Sequence, residues 1–350
     1  MAKKSKQTSQ RSVWIRRILV IAGCLAAGAL VYISYRVFGP NTKAFGDTKY
    51  FYVRTNSTYD NVLDGLEEQG IVRNRNSFNW VAKELSYPSR VKAGRYKIVR
   101  GMSNFDIVKL LRSGKQSPVD LVINKLRTKD DFVRKICTSL EADSTVLRSL
   151  MQDPVYLRQF GLDTNTVMCT VVPNTYEFYW NTGAEAVFKK LEKAREEFWT
   201  PERKEKAKAL GLTPNEVTIL GSIVEEESNK NDEKPLIASV YLNRYRKNML
   251  LQADPTVKFA LQNFGLKRIL KAHTQFDSPY NTYQYAGLPP GPICTPSVKT
   301  LNAVLNTPET DYLYFCARSD FSGYHAFAAT YAEHLVNAKL YQAELNKRGY

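Results

Sequence analysis

Histidine and cysteine are scarce in this chain of 350 residues, and neither is spaced as metal ligands usually are. The three histidines, His273, His325 and His334, do not suggest a metal site. The five cysteines are far apart in the sequence and include no zinc-ligand pair. We therefore expect neither a metal ion nor a cofactor. Their positions assign no disulfide, and free cysteines are the simpler interpretation.

The sequence also lacks the motifs of several large enzyme classes. It contains no G-x-S-x-G, no P-loop, no dinucleotide fingerprint and no H-E-x-x-H. Acidic residues are in deficit, with 34 Asp and Glu against 50 Lys and Arg, so the formal net charge is +16. This excess predicts an anionic partner. The basic residues are dispersed, without zinc-finger spacing or an RNP-like segment, and we do not expect nucleic acid.

One long apolar run predicts where the protein is located. A transmembrane helix is predicted over residues 18–36, which is long enough to span a bilayer. Residues 1–17 are basic and predict a cytoplasmic tail. The protein would then be a single-pass protein of the cell (inner) membrane with its remaining residues outside. A cleaved signal peptide and lipoprotein processing at Cys24 are alternatives, but the run continues past Cys24, which favours an uncleaved anchor.

A small α+β module is predicted over residues 48–124. Alternation in Lys49–Arg54 and again in 93–99 predicts two strands. Ser57 and Ser103 are suitable caps for helices in the same module. Because this region lacks catalytic spacing, it is interpreted as a spacer or a binding module.

A connecting helical region is predicted over residues 125–210. It contains the aromatic run 173–180, which suits either a hydrophobic core or a platform on which sugars stack. The last region, 211–350, is predicted to be mainly helical with a small β-hairpin near residues 312–327.

The candidate catalytic residue belongs to a helix that begins near Thr213. Thr213 is predicted as the N-cap, with Pro at the first helical position and Glu216 completing a capping box. The helix continues to three consecutive carboxylates, Glu225 to Glu227. Since helical residues step by about 100°, Glu227 shares the apolar face of the helix and Glu225 does not. The run is therefore either a solvated helix end or a site with one buried acid.

A buried acid followed by loops rich in Tyr, Asn, Gln and Pro suits carbohydrate cleavage. A neutral Glu protonates the glycosidic oxygen, and aromatic and amide side chains hold the sugars. An ordinary glycosidase needs a second carboxylate. Asp254 and Asp277 are candidates, although Asp254 before Pro255 is also explained as a helix N-cap.

Seven segments carry a family resemblance. In order they are SIVEEES, VYLNR, LQADPTV, YNTY, GLPPGPI, YLYF and a G-x-H-x-F run. Together they resemble the endolytic murein transglycosylase family (MltG, or YceG-like). The resemblance implies an α+β protein with a transmembrane helix, a LysM-like module at 48–124 and a catalytic domain at 211–350.

The same resemblance implies a function. Peptidoglycan glycan strands would be cut between N-acetylmuramic acid and N-acetylglucosamine without water. The 6-hydroxyl of the muramic acid closes on C1 to leave a 1,6-anhydro end, so that one Glu acts first as acid and then as base. The enzyme would terminate nascent strands and need no cofactor, and peptidoglycan synthases are implied partners. A hydrolytic muramidase and a non-catalytic scaffold for wall synthesis remain alternatives.

The resemblance also assigns residues to roles. Glu227 matches the catalytic acid, and Glu225 is the second choice, with a role in orienting the site. The family commonly has Lys or a similar residue where this chain has Glu226, and a third acid would raise the pKa of its neighbours. The residues that match groove positions are Asn243, Gln252, Asp254, Thr256, Tyr280, Asn281, Thr282, Tyr283 and Leu288 to Gly291, including Pro289. His325 and Phe327 either line the groove or pack the hairpin.

Overall fold

The structure is a computed structural model that describes residues 2–348, with side chains from residue 13 onward. The chain divides into two compact units. The first comprises residues up to 119 together with 179–181, and the second comprises 120–178 and 182–350. The described residues are mixed α and β, mostly helical with small two-stranded sheets.

The first helix, α1 (Ala2–Phe38), contains the apolar run. Its segment Val13–Phe38 has 26 residues with a mean hydropathy of 2.2, is not buried by the rest of the protein, and is long enough to cross a membrane. The predicted helix 18–36 lies inside this segment. The helix extends further at both ends because no proline or glycine cap interrupts it before Gly39.

The remaining elements of the first unit form a strand–helix–helix–strand–helix order. They are β1 (Thr48–Val53), α2 (Tyr59–Glu68), α3 (Arg75–Glu84), β2 (Gly94–Val99) and α4 (Asn104–Ser113).

The two strands pair antiparallel, with Phe51 opposite Tyr96. Both side chains are buried together with the apolar faces of α2, α3 and α4. Ser103 caps α4 as predicted, in a capping box with Asp106. The prediction of Ser57 as a cap was wrong by one residue: Thr58 caps α2, because its side chain and that of Asn61 exchange hydrogen bonds with each other's backbone.

The second unit is the larger one, and it begins within β3. Its elements are β3 (Val119–Ile123), α5 (Lys129–Ser139), α6 (Ser144–Gln152), α7 (Pro154–Arg158), β4 (Asn174–Phe178), α8 (Ala184–Phe198), α9 (Pro201–Ala209), α10 (Pro214–Glu227), α11 (Lys234–Arg246), α12 (Asp254–Ala260), α13 (Val298–Leu305), β5 (Tyr314–Ala317), β6 (His325–Ala328) and α14 (Tyr331–Lys347). Short 3₁₀ turns occur at Val167–Thr170 and His273–Gln275.

Strand pairing differs from the grouping that the sequence suggested. β3 was grouped with the first module, but it lies hydrogen-bonded to β4, about 50 residues later in the chain. In β4, Tyr176 and Phe178 are buried, so the aromatic run 173–180 contributes core side chains there. The predicted hairpin is confirmed: β5 pairs antiparallel with β6, with Phe315 opposite Phe327.

The core of the second unit is centred on α10, α11 and α13, which contact one another. α10 contributes Leu220, Ile223 and Val224, all almost fully buried. Gly221 allows α13 to approach closely, because a Cβ at this position would lie 3.2 Å from Leu301. This packing holds the C-terminal turn of α10 against α11.

Candidate active site

The capping box that was predicted for α10 is confirmed. Thr213 accepts a hydrogen bond from the Glu216 backbone, the Glu216 side chain bonds back to Thr213, and Pro214 opens the helix. The helix ends at Glu227, so the three glutamates occupy its last turn. This is the negative end of the helix dipole, where carboxylates are disfavoured. Each carboxylate there therefore needs a partner or a proton.

Glu225 is held as an anion. Its Oε2 accepts hydrogen bonds from Lys234 Nζ (3.1 Å), Ser297 Oγ (3.0 Å) and Thr300 Oγ1. The Lys234 side chain is only 4% exposed. Burial by itself raises the pKa of Glu225, but the Thr300 hydrogen bond and the Lys234 charge outweigh it and hold the pKa below its usual value.

Glu226 is also held as an anion, by cations from the loop after β3. Arg127 donates two hydrogen bonds to it, from Nε (3.0 Å) and Nη2 (2.9 Å). Lys125 Nζ lies 3.1 Å from Oε1. Burial raises the pKa of Glu226, yet these two cations lower it by more, so that the pKa lies below its usual value.

Glu227 has a different environment. Among the described residues it forms no ion pair, and its Oε1 accepts a hydrogen bond from the Tyr241 hydroxyl at 2.5 Å. Burial raises the pKa of Glu227 to about 7, against a weaker opposing effect of the Tyr241 hydrogen bond. The charge of Asp254 contributes to this increase in pKa, and Lys258 opposes it. Glu226 adds a smaller increase, in the direction predicted from its charge.

A carboxyl group with a pKa near 7 can donate a proton at neutral pH and then take one back. The interpretation of the glutamates as a solvated helix end was wrong, because all three are partly buried and each has its own partner. The helical phase predicted that Glu227 and not Glu225 lies on the apolar face, whereas the structure half-buries both and gives them different partners.

Tyr241 was not singled out from the sequence. It lies on α11, is almost fully buried, and its ring meets that of Phe315 edge-on at 5.8 Å. Its hydroxyl needs a buried acceptor, which Glu227 provides. A tyrosine on the apolar face of a helix, in the VYLNR segment, was the available signal, but the sequence did not identify its partner.

Arg244, one turn after Tyr241 on α11, was also missed. It donates to the backbone carbonyls of Leu313 (2.6 Å) and Leu251 (2.9 Å), and its guanidinium lies over the ring of Tyr314. These contacts join α11 to the segment before α12 and to the start of β5. Burial lowers the pKa of Arg244.

Asp254 was predicted as the N-cap of α12, and this prediction was wrong. The cap is Ala253, with no side-chain cap hydrogen bond, and Asp254 is the first helical residue. The Asp254 carboxylate instead accepts a hydrogen bond from the Tyr283 hydroxyl at 2.6 Å. Asp254 is exposed, so it acts on Glu227 through its charge while facing solvent.

Three residues of the predicted groove set are fully buried and bond to the polypeptide itself. Thr256 and Thr282 lie 2.8 Å apart through their hydroxyls, and Thr282 Oγ1 also accepts from the Ala253 backbone. Asn281 donates to the Phe276 carbonyl at 2.7 Å. These contacts tie the start of α12 to the loop at 280–283, and so position Asp254 and Tyr283 near each other.

Other predicted residues have similar structural contacts. Asn243 donates to the Thr310 and Tyr312 carbonyls at 2.7 and 3.0 Å. Tyr280 is half-buried, with its ring 4.7 Å from that of Phe259. Pro289 is buried.

Gln252 is exposed and adopts a left-handed backbone conformation with φ of 52°. This conformation is strained for a residue other than glycine. Its backbone N–H donates to the Thr282 carbonyl at 3.1 Å, which holds the turn in place.

The remaining candidates lie around the hairpin and the surface. His325 Nδ1 is 2.9 Å from the buried Glu233 carboxylate. The ring centres of Phe327 and Tyr312 lie 5.6 Å apart, with the two rings tilted. Asp277 is exposed and accepts a hydrogen bond from Tyr285. Within residues 2–348, no group of three His, Cys, Asp or Glu side chains is arranged to hold a metal ion.

The YceG-like family matches residues 51–340, which is most of the chain. The chain belongs to the YceG-like family. A crystal structure of a yceG-like protein from Listeria monocytogenes superposes with a TM-score of 0.55 at 27% identity, covering 83% of this chain and 99% of that one.

Curated relatives in this family carry a functional name. The endolytic murein transglycosylase of Bacillus subtilis (strain 168) is 26% identical over 340 residues, with 93% of each chain covered. The protein of the same name from Streptococcus pneumoniae (strain D39) is 29% identical over 284 residues, covering 72% of this chain. This chain spans about half the length of the pneumococcal relatives, 51% in each case.

Proposed function

We propose that this protein is an endolytic peptidoglycan lytic transglycosylase with Glu227 as its single catalytic acid and base. The observation that carries the proposal is the raised pKa of Glu227, about 7, beside two glutamates whose pKa values are lowered. A lone carboxyl that is partly protonated at neutral pH is what a one-residue mechanism requires. Membership of the YceG-like family and the names of the relatives support the same activity.

In the proposed reaction, protonated Glu227 gives its proton to the glycosidic oxygen as the bond from C1 of N-acetylmuramic acid breaks. The Glu227 carboxylate then accepts the proton of the muramic acid 6-hydroxyl, whose oxygen bonds to C1. The products are a 1,6-anhydro end and a new N-acetylglucosamine 4-hydroxyl, so that no water is consumed. Tyr241 holds Oε1 of Glu227, which leaves Oε2 to exchange the proton.

The glycan is proposed to lie against the loops that surround Glu227. Asp254, Tyr283 and Gln252 are at least partly exposed and are the proposed contacts, with Tyr280 beside them. Glu225 orients the turn. The half-buried Asn243 and the buried residues Thr256, Asn281, Thr282 and Pro289 support the loops.

A hydrolytic muramidase that uses Asp254 as a second carboxylate is the alternative with an observation in its favour, since Asp254 is close enough to change the pKa of Glu227. The Tyr283 hydroxyl donates a hydrogen bond to Asp254 and so fixes the position of its carboxylate. A hydrolytic product carries one added water and a reducing end, so product mass separates the two reactions.

Several finer features belong to the proposal. α1 is the anchor, with its N-terminal side in the cytoplasm and the residues after it outside the cell membrane, as the basic residues before the apolar run indicate. Residues 48–124 are proposed to be a LysM-like module, which the strand–helix–helix–strand order of β1, α2, α3 and β2 supports. Peptidoglycan synthases are the proposed partners at the membrane.

The test is the mass of the products from defined, uncrosslinked glycan strands. Wild-type protein should release anhydro-ended fragments, and Glu227→Gln should lower the rate by about 10³-fold, within the range for loss of a general acid–base group. Gln can still accept the hydrogen bond from Tyr241, so the fold should be retained. The matched control is Glu226→Gln on the same turn, which should keep most of the activity.

Three outcomes would overturn the proposal. Products with an added water would favour the muramidase, unchanged yield in Glu227→Gln would remove the catalytic role, and inactivity of wild-type protein on every strand would favour a scaffold.

A further inference from the structure

A groove of about 610 Å³ lies in the first unit, beside α4. Its apolar wall includes Leu85 at the end of α3 and Phe105 in the first turn of α4. The proposed transglycosylase reaction makes no use of this groove, because Glu227 and its partners all lie in the second unit.

Four cations surround this apolar wall, and no carboxylate lines it. They are Arg90 and Lys92 from the segment before β2, and Lys109 and Arg112 from α4. Among the described residues none of the four forms an ion pair with a carboxylate. Lys92 donates to the Ser113 carbonyl, and Lys109 lies 5.9 Å from the centre of the Phe105 ring. The positive charge of the groove is therefore uncompensated by the protein.

The C-terminal end of α1 is fixed to the same unit through buried polar side chains. The Arg36 carbonyl, in the last turn of α1, accepts a hydrogen bond from Asn104 Nδ2 at 2.8 Å. Asn104 also bonds to Ser77 and Asn41, and all three side chains belong to residues that are at most 5% exposed. Buried polar groups with complete hydrogen bonding hold a packing arrangement in place. The apolar helix is thus joined rigidly to the unit.

An aromatic contact places the groove next to that end of α1. Phe38, the last residue of α1, has its ring 5.4 Å from that of Phe105. Phe105 also lines the groove. A bilayer crossed by α1 has its headgroup region at the end of the apolar run, so the four cations would face the headgroups.

From this juxtaposition we propose that the groove binds the headgroup of an anionic phospholipid at the membrane surface beside α1. Lysine and arginine side chains bind phosphate, and the apolar wall accommodates the start of the acyl chains. The binding would hold the first unit against the bilayer. The groove lacks a carboxylate and presents unpaired cations, which suits an anionic lipid better than a neutral sugar. The proposal requires that α1 crosses the membrane, and it does not depend on the catalytic activity.

The test uses the full chain, purified in detergent and titrated separately with phosphatidylglycerol and phosphatidylcholine of equal chain length. Native mass spectrometry counts the lipids bound. Replacing two cations, in Lys109→Gln/Arg112→Gln, should weaken retention of phosphatidylglycerol about 30-fold, since each cation near an anionic surface contributes to binding. In phosphatidylglycerol nanodiscs, hydrogen exchange at residues 85–92 should be slower than in phosphatidylcholine nanodiscs.

The matched control is Arg54→Gln/Lys97→Gln, which removes the same charge from exposed positions of the same unit outside the groove. It should change lipid retention less than twofold, and circular dichroism should show that both variants are folded. Equal loss in the two double variants, or equal retention of the two lipids, would overturn the proposal. So would slowed exchange at 85–92 with a soluble glycan tetrasaccharide and not with phosphatidylglycerol, which would make the groove a glycan site. Insertion of α1 is checked independently by co-purification of the protein with the nanodiscs.

Discussion

The last turn of α10 carries three carboxylates, and the protein treats them in two opposite ways. Glu225 and Glu226 are paired with Lys234 and Arg127 and have lowered pKa values. Glu227 has a tyrosine hydroxyl as its hydrogen-bond partner and a pKa of about 7. Three identical side chains in adjacent positions therefore differ in protonation because their neighbours differ.

The comparison shows how a neutral acid is obtained at a helix end that is already unfavourable to anions. Burial raises the pKa of all three glutamates. Cations compensate for burial at two of them, and at Glu227 they do not. The cations that neutralise Glu225 and Glu226 also prevent three adjacent negative charges from accumulating at the end of α10.

The largest expected effect comes from removing Lys234, the cation that is paired with Glu225. Lys234→Met leaves the Glu225 charge buried without its partner, and we expect the second unit to lose about 4 kcal/mol of stability. Hydrogen exchange of α10 and α13 against urea measures this loss. The double variant Lys234→Met/Glu225→Leu should recover most of it, and a single variant as stable as wild type would contradict the ion-pair argument.

The stability contributed by Glu227 should depend on pH with a sign opposite to that of Glu225. The folded-state pKa of Glu227 is raised from 4.5 to about 7, so the folded protein binds more protons than the unfolded chain between these values, and stability falls as pH rises through that window. Glu227→Gln lacks this penalty and should be about 2 to 3 kcal/mol more stable than wild type at pH 8, with little difference near pH 4.

Glu225→Gln is the matched variant for this measurement. Because the folded-state pKa of Glu225 is lowered, its charge contributes stability above its unfolded pKa, and this contribution is lost as pH falls through the folded pKa. Glu225→Gln should therefore be less stable than wild type at pH 7 and approach it in acid. Parallel pH profiles for the two variants would contradict the opposite pKa shifts of Glu225 and Glu227.

A smaller effect is expected at Glu226. Arg127 and Lys125 keep 36% and 35% of their side-chain surface exposed, so solvent screens both pairs. Glu226→Gln should cost about 1 kcal/mol, and 1 M salt should lower the stability of wild type more than that of the variant. Hydrogen exchange of α10 and α13 against urea measures the stability lost in Glu226→Gln. A loss equal to that of Lys234→Met would show that the solvent exposure of Arg127 and Lys125 does not weaken their pairs with Glu226.

The smallest expected effect is that of the Asp254 charge on the pKa of Glu227. Activity should fall above about pH 7, as Glu227 loses its proton. Because Asp254 raises the pKa of Glu227, Asp254→Asn should shift this fall to lower pH by less than one unit. Lys258→Gln should shift it to higher pH, since Lys258 lowers the same pKa. The pH dependence of kcat/KM measures both shifts, and equal shifts in one direction would exclude a charge effect.

Much of the local structure was predictable from short patterns. The capping boxes at Thr213 and Ser103, the alternating strands and the final hairpin depend on residues close in sequence, so their physical causes are local. The resemblance of seven segments was sufficient to name the family. The prediction of Asp254 as a helix cap was wrong because Tyr283, 29 residues later, binds the same carboxylate. The pairing of β3 with β4 was missed for the same reason, since pairing partners about 50 residues apart leave no local signal.

The sequence by itself determined that Thr213 caps α10 and that Glu225 and Glu227 point in different directions, because helix geometry follows from local residues. Only the tertiary structure decided what each carboxylate meets there. Lys234, Thr300 and Arg127 arrive from three other segments to neutralise Glu225 and Glu226. Burial then raises the pKa of Glu227 against the opposing Tyr241 hydrogen bond, because desolvation depends on the whole surrounding fold and not on the residues beside it.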